Sequence, residues 1–177
     1  TQLPQGAINK NAGDYMSITN GIQHPENFYI DGSSWYNGYN QYNLWSMDNT
    51  TTGWNDNAVV KTIYDPCPVG LKLSASNAFT GFTLNGQNAG TPNVEGSWDM
   101  GWTFKSKTGT NTVTFPASGF RFSNGGSLTD VGRSGYYWLA VPGSSSNGCD
   151  LLFHSFNVRP LSNDARAFGF SVRPVSE

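Results

Sequence analysis

In Asp150-Leu151-Leu152-Phe153-His154-Ser155-Phe156 the side-chain types alternate with a period of two, the repeat of an extended strand rather than a helix. Leu151, Phe153 and Ser155 fall on one side, which reads as a core face. Asp150, Leu152, His154 and Phe156 fall on the other. That second set mixes an acid, an aliphatic, an imidazole and an aromatic group, a mixture that a buried face could hardly accommodate. Left in solvent with Leu152 and Phe156 on it, such a face invites contact with a partner. The bland alternative is a surface strand with two stray apolar residues, because single exposed apolar groups are ordinary.

Working outward, residues 101–107, 112–116 and 118–123 also read as strands, joined by turns that include the tight Asn124-Gly125-Gly126 connection. Lys61-Thr62-Ile63-Tyr64-Asp65-Pro66-Cys67-Pro68-Val69-Gly70 reads as a strand ending in a turn stiffened by two prolines, which fix φ and remove donors. Ser76-Asn77-Ala78-Phe79-Thr80-Gly81-Phe82 is the best short-helix candidate, with Ser76 as cap and Gly81 as stop. Residues 1–60 place their apolar groups singly, as in Phe28-Tyr29-Ile30, Trp35-Tyr36 and Leu44-Trp45, and read as short strands and ordered loops around aromatic anchors.

Composition narrows the function classes. The 177 residues suit one domain, 1–177, with 1–27 as a lead-in. Charged residues make up 12%, against the roughly 25% of an average domain. Ten Lys and Arg against twelve Asp and Glu, with no basic cluster, leave no nucleic-acid footprint and no polybasic membrane patch. No apolar run reaches the ~20 residues of a membrane-spanning helix, so direct membrane insertion is not expected. Thr1 in place of an initiator Met leads us to expect an export signal already removed. Six Trp, eight Tyr and eleven Phe supply large apolar side chains that disordered segments lack. A polar, uncharged, aromatic-rich surface of this kind suits an extracellular setting. Cys67 and Cys149 could form one bridge in an oxidising compartment, but one pair is not a disulfide framework.

Catalytic chemistry finds little support. Of the two histidines, His24 precedes Pro25 and His154 sits on the mixed strand face, and neither has a Ser or Cys in a nucleophile context. Paired carboxylates could do glycosidase work, though any two of twelve acids can be paired on paper. There is no C-x-x-C, H-E-x-x-H or glycine-rich phosphate motif, so no cofactor and no zinc or nucleotide site is expected. Asp48-Asn49 and Trp54-Asn55-Asp56 offer oxygen ligands, and the latter triplet occurs in calcium-dependent sugar-binding lectins. Without an upstream Glu-Pro-Asn triplet or EF-hand spacing, coincidence explains it better than a calcium site.

Several segments together resemble a known family. Lys61 to Gly70, Asn77-Ala78-Phe79-Thr80-Gly81-Phe82, Phe115-Pro116-Ala117-Ser118-Gly119, Gly126-Ser127-Leu128-Thr129-Asp130-Val131-Gly132, Gly135-Tyr136-Tyr137-Trp138 and Gly169-Phe170-Ser171-Val172-Arg173-Pro174-Val175 occur in this order in the major paralogous domain of Fibrobacter succinogenes-type surface proteins. Leu73-Ser74 departs from the family's usual Val-Pro. The resemblance implies an α+β fold of the C-type-lectin-like kind shared with formylglycine-generating enzymes, β- and loop-rich with few short helices.

Residues 133–175 more narrowly resemble the variable region of proteins diversified by diversity-generating retroelements. There, mutagenesis at adenines of Asn codons yields many residues but never Lys, Glu, Gln, Met or Trp. Residues 1–132 hold five Lys, two Glu, five Gln and three Met, so composition alone predicts roughly five such residues in 133–175. There are none, and Trp138, the only Trp of the window, belongs to the fixed framework motif. Carried over by position, the resemblance makes Leu151, Phe153, Ser155, Asn157 and Val158 fixed. It makes Leu139, Gly143, Cys149, Asp150, Leu152, His154, Phe156, Arg159, Asn163, Asp164 and Phe168 variable ligand-binding positions, with Tyr136, Asn147 and Arg133 as further candidates. A diversified Cys149 argues against a bridge to Cys67. Arg166 and Arg173 are expected to hold the scaffold.

The function expected is therefore that of a non-enzymatic receptor-binding domain of a surface adhesin, pilus-tip protein or phage tail fibre, located on a cell surface or virion. Its partner would be a protein or glycan receptor on a cell surface, and a tail fibre would make it a homotrimer. The alternative is a carbohydrate-binding or glycan-processing module using the Trp35, Trp45 and Trp54 loops. A purely structural cell-surface module is the third reading.

Overall fold

The alternating stretch becomes the centre of a four-stranded sheet. The structure is a computed structural model and describes residues 8–9, 23, 28–29, 45–47, 53–55, 57–82, 94–123, 125–144 and 146–177. Among the described residues the strands are β1 (Ile8–Asn9), β2 (Phe28–Tyr29), β3 (Leu71–Lys72), β4 (Val94–Trp98), β5 (Gly101–Ser106), β6 (Thr112–Pro116), β7 (Phe120–Arg121), β8 (Leu128–Thr129), β9 (Ser134–Pro142), β10 (Asn147–His154), β11 (Asn157–Ala165), β12 (Ser171–Val172) and β13 (Val175–Ser176). The largest sheet has the order β11-β10-β9-β12, antiparallel except for the parallel β9–β12 pair. A three-stranded meander β4-β5-β6 and the pairs β1-β2, β13-β3 and β7-β8 complete the set. The fold is thus β-rich with almost no helix, and no helix among the described residues is long and apolar enough to cross a membrane.

The core fills the space between the two larger sheets. From the four-stranded sheet come Tyr137, Leu139, Val141, Cys149, Leu151, Phe153 and Val158; the meander supplies Trp102, Phe104 and Phe115. The rings meet mostly edge to face, as Phe115 does with Tyr137 at 5.3 Å and Phe104 at 6.0 Å between centroids. Burying each of Phe104, Phe115 and Phe153 contributes about 1.5–3 kcal/mol. The Arg173 guanidinium lies over the Phe115 ring, 5.1 Å from its centroid, which ties the C-terminal segment to this core. A smaller cluster joins Val59, Cys67, Leu73 and Ala140. Cys67 and Cys149 lie in different clusters, and both thiols are free and buried.

Two expected local structures come out differently. Residues 76–82 form a chain of turns, closed by Ala78 N–H to Ala75 O, Thr80 N–H to Asn77 O and Phe82 N–H to Phe79 O, instead of a helix. The hydroxyl expected to cap that helix is engaged elsewhere: Ser76 Oγ accepts from Asn55 N at 2.8 Å and donates to Asn55 O at 3.0 Å. Turns also carry both Phe79 and Phe82 onto Phe115. The Lys61 to Gly70 segment contributes a single bridge, Ser46 to Lys61, in place of a strand. Buried Asp65 organises the turn there, with Oδ1 accepting from Cys67 N at 2.7 Å and Oδ2 from Leu73 N at 3.0 Å.

Candidate ligand-binding site

Strand pairing sorts the candidate residues by face, because directly opposed residues of antiparallel neighbours point to the same side. Asp150 opposes Trp138 and Ser162, Leu152 opposes Tyr136 and Arg159, His154 opposes Ser134 and Asn157, and Gly148 opposes Asp164. Tyr136, Asp150, Leu152, His154, Arg159 and Asp164 therefore share the sheet face turned away from the core, whereas Cys149, Leu151 and Phe153 point into it. Register shifts flank Asp150 on both sides, toward β9 and toward β11; the alternation holds along β10, while β11 bulges so that Arg159 and Ser162, at an odd spacing, both oppose outward residues.

Four positions differ from expectation. Leu139 (1% exposed) and Cys149 (0%) lie in the main core, because β9 and β10 turn these positions inward beside Tyr137 and Leu151. Asp150 has the expected orientation but is fully covered, at 0% exposure. Ser155, expected on the core side, is exposed in the β10–β11 turn. Phe156 follows it at 80% exposure.

The remaining candidates separate along the sheet. Gly143, Asn147 and Asn163 gather at the β9–β10 turn, where Gly143 N donates to Asn147 O at 2.8 Å and Asn147 Nδ2 to Asn163 Oδ1 at 3.0 Å. Phe168 and Tyr136 belong to a half-buried aromatic layer. Phe168 packs on Phe120 at 5.4 Å, and Tyr136 packs on Phe120 and Phe170 at 4.8 Å each. Trp138 stacks on Phe170 at 4.2 Å. Of the Trp loops, Trp45 packs against the smaller core, Trp54 donates to Ser162 O at 3.4 Å, and Trp35 lies outside the described residues, as do His24, Asp48, Asn49 and Asp56. No group of three His, Cys, Asp or Glu suited to a metal ion occurs among the described residues.

Electrostatics divide this face into two regions. Burial, with the nearby Asp164 charge adding to it, pushes the Asp150 carboxyl up to about 8. The Ser162 side chain opposes that shift, yet neither Asp150 oxygen has a hydrogen-bond partner. Asp164 is raised by burial, and Tyr136 is raised by burial together with Asp130, Asp164 and Asp150. At the other end, burial and the Arg159 charge hold the His154 imidazole below its usual range, so it is neutral at neutral pH.

A cleft of about 380 Å³ opens at that second end, lined by Trp98, Asp130, Gly132, Arg133, Ser134, His154, Ser155 and Phe156. The turn that carries two of its charges is held by Asp130 O, which accepts from Arg133 N and Ser134 N at 3.0 Å each, and by Gly132 N to Ala117 O at 2.7 Å. Asp130 and Gly132 take positive φ, 56° and 76°. Across the cleft the His154 and Phe156 rings meet at 4.2 Å and 66°. Met100, 71% exposed, brings its terminal methyl near Gly132. Sequence reasoning found His154 and Phe156 and raised Arg133, but missed Trp98, Asp130, Ser134 and Ser155 as cleft residues. The Asp130-Val131-Gly132 turn signal could have placed Asp130 near the start of β9; nothing local points to Trp98.

Comparisons with protein-family profiles, curated proteins and solved structures found no match to this chain.

Proposed function

We propose that this chain is a non-enzymatic ligand-binding domain with a C-type-lectin-like fold, the receptor-recognition part of a surface adhesin, pilus-tip protein or phage tail fibre. Its outer sheet face would be varied by a diversity-generating retroelement. The observation that carries this reading is the shared face of Tyr136, Leu152, His154, Arg159 and Asp164, opposite a core that the framework residues Leu151, Phe153 and Val158 build. A rigid sheet with one changeable face is the binding strategy of antibodies, transferred to another scaffold. The absence of Lys, Glu, Gln and Met from 133–175 supports it independently.

Sequencing the same locus in sister isolates tests the reading. Substitutions concentrated at Tyr136, Leu152, His154, Phe156, Arg159, Asn163, Asp164 and Phe168 are expected. Substitutions scattered equally over residues 1–132 would sink it. Leu139 and Cys149 are expected to vary only among small or apolar residues, because they fill the core.

A further inference from the structure

From the cleft beside His154 we infer that the protein binds a carboxylate-bearing sugar residue, a uronate or a sialic-acid-like sugar at the end of a glycan. The inference deepens the receptor-binding reading above and rests on it. Size comes first: about 380 Å³ lies near the lower end of the roughly 300–1,000 Å³ of small-ligand clefts, room for one ring residue rather than a peptide segment or a long chain.

Charge selects the acid. The Arg133 side chain makes no hydrogen bond or ion pair among the described residues, and its guanidinium presents the planar fork that fits a carboxylate. Arg159 adds a second positive charge behind His154. One carboxylate, Asp130, opposes them. The charges that line the cleft are Arg133 and Asp130, with Arg159 close enough to act on His154, so anion selection rests on the Arg133 fork and not on the chain's formal net charge of -2.

Hydroxyl-rich chemistry accounts for the remaining groups. Asp130 forms no ion pair with Arg133, although both line the cleft, and it is placed to accept from ring hydroxyls while Arg133 holds the carboxylate. The His154 ring lines the cleft beside Phe156, the two ring centroids 4.2 Å apart. Trp98 and Phe156 supply apolar walls for the C–H faces of a pyranose ring. A phosphate dianion would gain from Arg133 but would meet the Asp130 charge and leave the aromatic walls unused.

The test is titration of the whole chain with free glucuronate and free N-acetylneuraminate, followed by ligand-observed NMR and calorimetry, with glucose, acetate and glycine as controls. Saturable binding of either sugar acid, at least tenfold tighter than any control, is expected. Arg133→Gln should weaken that binding tenfold or more, Arg133→Lys less, and Phe156→Ala severalfold; both side chains are exposed, so folding should be unaffected. No saturable binding, equal binding of glucose, acetate or glycine, or full affinity in Arg133→Gln would each overturn the inference. Such a failure leaves the pattern of variation among sister isolates untouched, so it is distinguishable from failure of the receptor-binding reading.

Discussion

The indole nitrogen of Trp102 donates to the carbonyl oxygen of His154 at 3.0 Å, joining the middle strand of the meander to the last residue of β10 across 52 positions of sequence. Trp102 also stacks near Phe104 at 5.8 Å and meets Trp98 edge to face at 5.7 Å. One side chain thus links the core, a cleft wall and the backbone of the candidate site.

Replacing Trp102 by Phe keeps a ring in the core and removes the donor. The loss of this bond should cost about 0.5–1.5 kcal/mol in denaturant unfolding. Amide exchange at Asn157 and Val158, beyond the turn that follows His154, should accelerate more than exchange at Leu139. Equal acceleration at both would mean that the bond does not anchor the hairpin.

Gly135 faces Phe153 across β9 and β10 so closely that a Cβ would enter the phenyl ring. Gly135→Ala forces that ring off its rotamer inside a packed core, and a loss of about 3 kcal/mol or more is expected. Gly125→Ala meets nothing within 4 Å and should change stability by less than about 0.5 kcal/mol. Thermal melts of the two variants check the contrast.

Asp150 makes stability fall as pH rises. Its folded-state value of about 8 stands above the ordinary 3.8, so the native state holds a proton that the unfolded chain releases, and stability declines between those two values. The slope is at most about 1.4 kcal/mol per pH unit for one proton. Asp164 from β11 and Tyr136 from β9 are the titrating groups that face it. Asp150→Asn carries no charge at any pH and should flatten the profile, with its advantage over the parent growing between the two values and levelling off above the upper one. Parallel profiles for parent and variant would refute the assignment.

Asp65 has the opposite sign. Burial raises its carboxyl, but the N–H groups of Leu73 and Cys67, with Lys61 at 3.1 Å, outweigh that and leave it below the ordinary 3.8. Its contribution is present above that ordinary value and is lost as pH falls through the lowered native one. Asp65→Ala strands two backbone donors, and a loss of about 3 kcal/mol at neutral pH is expected. Urea unfolding should show the gap between parent and variant narrowing in acid.

Strand parity was legible in the sequence at Leu151 and Phe153, because β10 keeps its period of two and the extra residue of the bulge falls in β11. Burial was less legible. Asp150 has the outward orientation that its alternation implies, yet is covered, and covering comes from neighbours that a local pattern does not contain. Leu139 and Cys149 were assigned by resemblance, which carries positions but not the direction in which a side chain points. Ser76 and Phe82 have helix-end chemistry, and tertiary partners at Asn55 and Phe115 redirect both. Trp98 joins His154 in one cleft through a contact between distant strands, for which no local signal exists.

Parity, more than identity, is what β10 must preserve. Between Cys149 and Phe153 every second residue answers to the aromatic core, while Asp150, Leu152 and His154 answer to the opposite side. Exchanging one outward residue for another leaves the interior alone. Deleting a single residue would swap the two sets and press an imidazole or a carboxyl against Phe115 and Tyr137. Such a strand can explore many side chains, but its reading frame in space is fixed.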